Sequence, residues 1–208
     1  MREILIYVHG KDGSAEEAGH YKPLFPNCKV IGFDYRSQTP WEAKEEFPVF
    51  FAQQRQRCDR LILFGNSIGA FFSMSTLDET MVDRAYLISP VVDMENLIGN
   101  MMQWANITEQ ELAQKREVPT DLGETLSWDY FCYVRAHPIS WNVPTWILYG
   151  EHDNLTSIET VSAFAKRHHA KLTVMPGGEH WFHTEEQMQF LDDWIRERSL
   201  NDVCADDT

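Results

Sequence analysis

The chain has 208 residues, 43% hydrophobic and 24% charged, which suits one soluble globular domain with a full core. With 32 acidic against 18 basic residues the net charge is -14, and such a surface repels nucleic acid and anionic lipid as partners. The first apolar run is too short for an export signal, no stretch reaches membrane-span length, and Cys28, Cys58, Cys132 and Cys204 form no C-x-x-C pair. A cytoplasmic protein with free thiols and no membrane span is expected.

In chain order, Ile4–Val8 is a short β-branched run, followed by the turn His9-Gly10-Lys11-Asp12-Gly13-Ser14. Val30–Tyr35 is a second strand-like run. A helix should follow, opened by a capping box in which Thr39 pairs with Glu42 and Pro40 takes the first helical position. Pro48 is expected to kink or split that helix. Leu61–Phe64 is the third run and leads into Gly65-Asn66-Ser67-Ile68-Gly69; Ala85–Ser89 is the fourth.

Residues 91–143 are too long for a plain loop and should carry structure of their own. Met94–Trp104, Thr108–Glu117 and Glu124–Ala136 read as helices, with Thr108 and Glu111 forming a capping box. The methionines and aromatics of this segment predict a helical cap inserted in the single domain 1–208. Its underside would be an apolar wall above the strand ends. Thr145–Tyr149 and Leu172–Met175 are the fifth and sixth runs. Capping boxes are read at Thr156 with Glu159 and at Thr184 with Gln187. The last helix puts Met188, Leu191, Trp194 and Ile195 on one face and should end near Arg198, leaving an acidic, frayed tail.

The runs are continuous rather than alternating, as in parallel strands buried on both faces. Alternation with helices predicts right-handed crossovers and a doubly wound α/β sheet, whose functional crevice lies at the carboxyl ends of the strands. Chemistry-bearing residues stand at several of those ends. Ser67 sits between a buried strand and a helix, in Gly65-Asn66-Ser67-Ile68-Gly69. A turn that sharp strains the serine backbone and brings strand and helix together, so glycine at 65 and 69 avoids a collision. The hydroxyl then projects above the sheet at a helix N-terminus, where free amides favour developing negative charge.

A serine hydroxyl needs a base, and a histidine suits neutral pH. Of eight histidines, His180 directly follows the sixth run; His183, three residues on, is the local competitor. The base needs an acid to orient it. Asp153 follows the fifth run, Asp93 the fourth, and the former is preferred, with Glu151 expected to face away.

Strand, G-x-S-x-G and helix, then Asp153, then His180, resembles the α/β-hydrolase superfamily, which uses this chain order of nucleophile, acid and histidine. His9-Gly10, the G-x-x-D of Gly150–Asp153 and the G-x-x-H of Gly177–His180 resemble it too, and the likeness runs from Ile4 to about Arg198. The resemblance implies an oxyanion hole made by the backbone N–H groups of Ile68 and Lys11, with Asp12 a substitute for Lys11. His9 would brace the turn by a ring hydrogen bond. The chain starts directly on the strand before His9, without the family's N-terminal hairpin. Six parallel strands in the order 2-1-3-4-5-6 are therefore expected. Gly10 is not followed by further glycines, so this is not an H-G-G-G loop.

No P-loop, dinucleotide fingerprint or zinc-ligand spacing is present, and neither cofactor nor metal is expected. The expected activity is a serine hydrolase, first of all an esterase, acting on a small or medium, partly apolar ester or acyl substrate. Thioesterase or amidase activity on the same residues is an alternative. So is a ligand-binding member of the fold without catalysis. The polyanionic CoA carrier suits the acidic surface poorly. Oligomeric state is not legible from the sequence, nor is the role of Asn66.

Overall fold

All six apolar runs pair as parallel strands of one sheet. The computed structural model of the protein describes residues 2–121 and 123–203. The strands are β1 (Glu3–Val8), β2 (Cys28–Gly32), β3 (Arg60–Asn66), β4 (Arg84–Ile88), β7 (Thr145–Gly150) and β8 (Lys171–Met175), in the spatial order β2-β1-β3-β4-β7-β8. Counted along these six strands, that is the expected 2-1-3-4-5-6. Successive residues point to opposite faces and both faces are covered. Ile4, Ile6, Val8, Leu61 and Leu63 join one core, while Leu5, Tyr7, Ile62 and Phe64 join the other. This is why the runs lack polar alternation.

On the first face lie α2 (Pro40–Arg55), α3 (Ser67–Thr76) and α7 (Ile158–Arg167). On the second lie α1 (Ala18–Tyr21) and α8 (Glu185–Val203). Leu191, Trp194 and Ile195 of α8 are buried there, with Met188 packed alongside. The last helix continues to Val203 rather than ending near Arg198. The rest of the acidic tail, residues 204–208 with Cys204, lies outside the described residues. Cys28, Cys58 and Cys132 are free thiols. No described helix is long and apolar enough to cross a membrane.

Several local expectations shift. The second run is a strand only over Cys28–Gly32, because the backbone of Ala15 crosses it there: a Cβ on Gly32 would lie 1.9 Å from the Ala15 oxygen. Pro48 does not split α2, which runs on to Arg55. The carbonyl that loses its partner belongs to Lys44, an exposed residue. The box at Thr39 and Glu42 forms as read. That at Thr156 does not: Ser157 caps α7 through a 3.2 Å bond from the Thr160 amide, and Thr156 is buried.

Residues 91–143 hold α4 (Met94–Trp104), α5 (Glu109–Lys115), an antiparallel pair β5 (Glu117–Pro119) and β6 (Thr125–Ser127), and α6 (Trp128–Ala136). The expected helix over 124–136 thus starts only at Trp128. Arg116, at φ 68°, ends α5 and turns the chain into the hairpin, and Ser127 caps α6 by accepting from the Tyr130 amide. Leu97, Met102, Leu112, Phe131 and Val134 of this segment extend the core of the α2–α3–α7 face.

The ends of β7 and β8 approach so closely that only glycine fits at 150. A Cβ there would lie 2.4 Å from the Glu179 oxygen and 2.6 Å from the Gly178 carbonyl carbon, both backbone atoms. Overpacking of this kind destabilises by about 1–3 kcal/mol. Gly150→Ala should therefore lose stability in that range by urea denaturation. Gly99→Ala, inside α4 with nothing within 4 Å of the new methyl, should be neutral or gain about 0.5–1 kcal/mol.

Candidate active site

The site begins with the turn from β3 into α3. Ser67 is the first residue of α3 and has φ 49°, a left-handed conformation that costs a non-glycine residue about 1–3 kcal/mol. The two flanking glycines serve different contacts. A Cβ on Gly65 would press on Ala70 of α3, 3.0 Å from its Cα. One on Gly69 would lie 2.2 Å from the His9 oxygen and 2.8 Å from the Val8 oxygen. Gly65 thus admits the helix to its own strand, and Gly69 admits it to the end of β1. As the first turn of α3, Ser67 and Ile68 carry N–H groups with no intrahelical acceptor.

His180 arrives on the loop after β8. Two backbone bonds lace this loop to the one after β7: Glu151 N–H to Met175 oxygen at 3.0 Å, and His152 N–H to Gly178 oxygen at 2.7 Å. The Glu151 carboxylate adds a third by accepting from the Gly177 amide at 2.8 Å. Glu151 therefore clasps the two loops and does not contact His180.

The structure brings Ser67, His180 and Asp153 together. Ser67 Oγ and His180 Nε2 are 2.8 Å apart, and His180 Nδ1 and Asp153 Oδ2 are 2.7 Å apart. The Asp153 side chain is 0% exposed and that of His180 14%. Burial of a carboxylate demands compensating donors. Asp153 has them: its Oδ1 accepts from the amides of Leu155 (2.8 Å) and Thr156 (3.0 Å) while Oδ2 faces the imidazole. Burial, then the Asp153 charge, pushes the Tyr149 phenol up to about 12, so it stays protonated and donates to the Thr156 oxygen.

The competing residues are engaged elsewhere. Asp93 caps α4, accepting from the Asn96 amide at 2.9 Å. His183 Nδ1 lies 2.7 Å from the Trp181 oxygen and 3.5 Å from Glu179. His9 stacks on Tyr35, with ring centroids 4.3 Å apart, and its Nδ1 lies 2.8 Å from the Gly10 oxygen.

The turn after β1 closes by a 3.2 Å bond from Gly13 N–H to Gly10 oxygen, with Asp12 at φ 58°. Positive φ at the third residue alone is the type II pattern. The Gly13 amide is thus occupied, and the Ser14 amide donates to Glu17 at 3.0 Å. Of the amides from 11 to 14, those of Lys11 and Asp12 have no acceptor among the described residues. A Cβ on Gly10 would come within 3.2 Å of Ser67 Cβ, so the turn lies directly against the serine. Its other neighbour is the hairpin of 91–143, reached by an ion pair between the Lys11 ammonium and Glu124.

Two contributors are absent from the sequence reading: the Lys11–Glu124 tether and the Tyr7–Glu17 pair beneath the turn. A signal for the second existed, since Ser14-Ala15-Glu16-Glu17 is itself a capping box. A hollow between α4 and α6, bordered by Asp93, Glu95, Met102, Glu109 and Arg135, contains none of Ser67, Asp153 or His180. Among the described residues no three His, Cys, Asp or Glu side chains converge as a metal-ligand set.

No family model matches the chain. A Mycoplasma genitalium protein named as an esterase/lipase is 29% identical over 75 residues, 35% of this chain and 27% of that one, so the match spans about a quarter of the relative. Solved structures resemble the whole chain. Est1E from Butyrivibrio proteoclasticus superposes with a TM-score of 0.75 at 16% identity, covering 98% of this chain and 89% of that one. Mouse alpha/beta hydrolase domain-containing protein 10 gives 0.69 at 16% identity, covering 98% and 90%. The parallel sheet, its strand order and these likenesses give the chain the α/β-hydrolase fold.

Proposed function

We propose that the protein is a cofactor-free serine hydrolase that cleaves a carboxylic ester through an acyl-enzyme. The observation that carries this reading is the pair of hydrogen bonds joining Ser67, His180 and the fully buried Asp153, at 2.8 and 2.7 Å. Ser67 Oγ attacks the acyl carbonyl as His180 Nε2 takes its proton. His180 then gives that proton to the leaving alkoxide. Asp153 holds Nδ1 protonated and offsets the imidazolium charge. Water, deprotonated by the same imidazole, then attacks the acyl-enzyme and releases Ser67.

The oxyanion is held by the amides of Ile68 and Lys11, which face a low-dielectric site without reorganising. The segment 91–143 serves as a cap. Its supports are the 3.3 Å bond from Val91 N–H to Ser67 oxygen, the Lys11–Glu124 ion pair, and the packing of Trp41 on Tyr130 and Tyr133. An ester comes first because an alkoxide leaves more readily than an amine, and esterases are among the proteins this chain resembles. The substrate is a small or medium, partly apolar molecule, and the place of action is the cytoplasm.

A panel of p-nitrophenyl esters of increasing acyl length tests the reading. Ser67→Ala should lower kcat by roughly 10³–10⁶ and His180→Ala by a similar factor. Asp153→Asn should lower it by about 10⁴ while the protein stays folded. Full esterase activity in Ser67→Ala would contradict the mechanism.

The oxyanion assignment has its own test. The second position of a type II turn accepts proline, so Lys11→Pro removes one N–H without breaking the turn. It should reduce kcat by about 10²–10³, whereas Lys11→Ala keeps the amide and should stay within about threefold. No loss in Lys11→Pro would move the role to the Asp12 amide, whose φ of 58° bars the same substitution there.

A further inference from the structure

Beneath the turn after β1 runs a continuous polar path that the proposed chemistry does not use. Tyr7, in the middle of the sheet and 0% exposed, donates its hydroxyl hydrogen to Glu17 Oε2. The other carboxylate oxygen, Oε1, accepts from the Ser14 amide at 3.0 Å. Tyr7 itself is paired in register with Phe64 of β3, the strand that ends in the Ser67 elbow. Burial above all, then Tyr21 and the Glu17 carboxylate, holds the Tyr7 phenol well above its ordinary range, so it remains a donor.

The two ends of this path are informative. Ser14 directly follows the turn that carries the Lys11 and Asp12 amides. Tyr7, at the other end, stands beside Phe64 of β3, which leads through Asn66 into Ser67 and the Ile68 amide. The fit around the path is tight, since a Cβ on Gly13 would lie 2.8 Å from Glu17 Oε1. The two amides proposed for the oxyanion hole come from different strands, β1 and β3. The β1–β3 ladder fixes the strand ends as far as Val8 and Gly65, and the path holds the turn beyond them onto β1.

We infer that Glu17 and Tyr7 are positioning residues that fix the spacing of the Lys11 and Ile68 amides by tying the β1 turn to the sheet that carries the Ser67 elbow. The inference rests on the reading of Ser67 as nucleophile. Such residues act only where the oxyanion has formed. Losing them should lower kcat and leave KM nearly unchanged, because ground-state binding does not use the hole. A brace that served stability alone would lower the active fraction or the melting temperature, but not turnover per active site.

The test uses Tyr7→Phe, which removes only the hydroxyl, and Glu17→Gln, which keeps the length and one acceptor oxygen. Active sites are titrated with a fluorophosphonate. Turnover per titrated site and affinity for an alkyl boronic acid, which forms a tetrahedral adduct on serine, are then measured. Tyr7→Phe should lose about tenfold or more in kcat per site and a matching factor in boronic-acid affinity, with KM within about twofold. The double variant should be no worse than the weaker single, because both lie on one path. Unchanged kcat per site and boronic-acid affinity overturn the inference, whatever happens to stability. If Tyr7→Phe does not fold, Glu17→Gln alone decides by the same two readouts. Failure of the nucleophile reading looks different: the wild type itself does not react at Ser67. Hydrogen exchange then decides, with faster exchange across residues 10–14 in either variant expected and unchanged exchange overturning the link.

Discussion

The hydrogen bond between Ser67 Oγ and His180 Nε2 joins residues 113 positions apart, and much of the architecture is arranged so that it can form. It needs the ends of β3 and β8 at one rim, with β7 between β4 and β8 to supply Asp153. A parallel sheet with right-handed crossovers puts all strand C-termini on that rim. Two local concessions complete it. Ser67 takes a left-handed backbone that its residue type disfavours, and glycines at 69 and 150 let backbone approach backbone where any side chain would collide.

The energetic cost of this site lies in its strain and in burying the Asp153 charge. Three donors to the carboxylate compensate the burial, and the loops after β7 and β8 are laced by backbone bonds, so the imidazole is held from both sides. Preorganised polar groups of this kind reorganise little during reaction, which is where electrostatic catalysis gains most. The two apolar cores that grip the sheet provide the rigidity. Tyr7 and Phe64 on one face and Phe47 and Phe51 on the other are wholly buried.

Much of this was legible in the residues because strong local signals and the fold's geometry coincide. Buried strands read as unbroken apolar runs, and the glycines around Ser67 mark a steric demand that no other residue meets. His180 and Asp153 stand just past the strands whose ends meet at Ser67. What was hidden depends on contacts between distant segments. β2 stops at Gly32 because Ala15 lies across it. Pro48 is tolerated where the residue one turn back, Lys44, is exposed. Ser157 rather than Thr156 caps α7, a one-residue choice decided by burial of the threonine. The short hairpin before α6 has no periodicity to betray it. Asn66, whose role the sequence left open, makes no side-chain cap bond to α3 and lies beside Gly10 of the turn after β1, a contact between distant segments.

The central claim is that Ser67 becomes acylated during turnover. Acid-quenching the protein while it hydrolyses p-nitrophenyl acetate, then mapping the adduct by peptide mass spectrometry, tests it directly. The account predicts an acetyl group on the peptide carrying Ser67, absent when His180→Ala protein is treated in the same way. Turnover with no acyl adduct, or with the adduct on another residue, would contradict it.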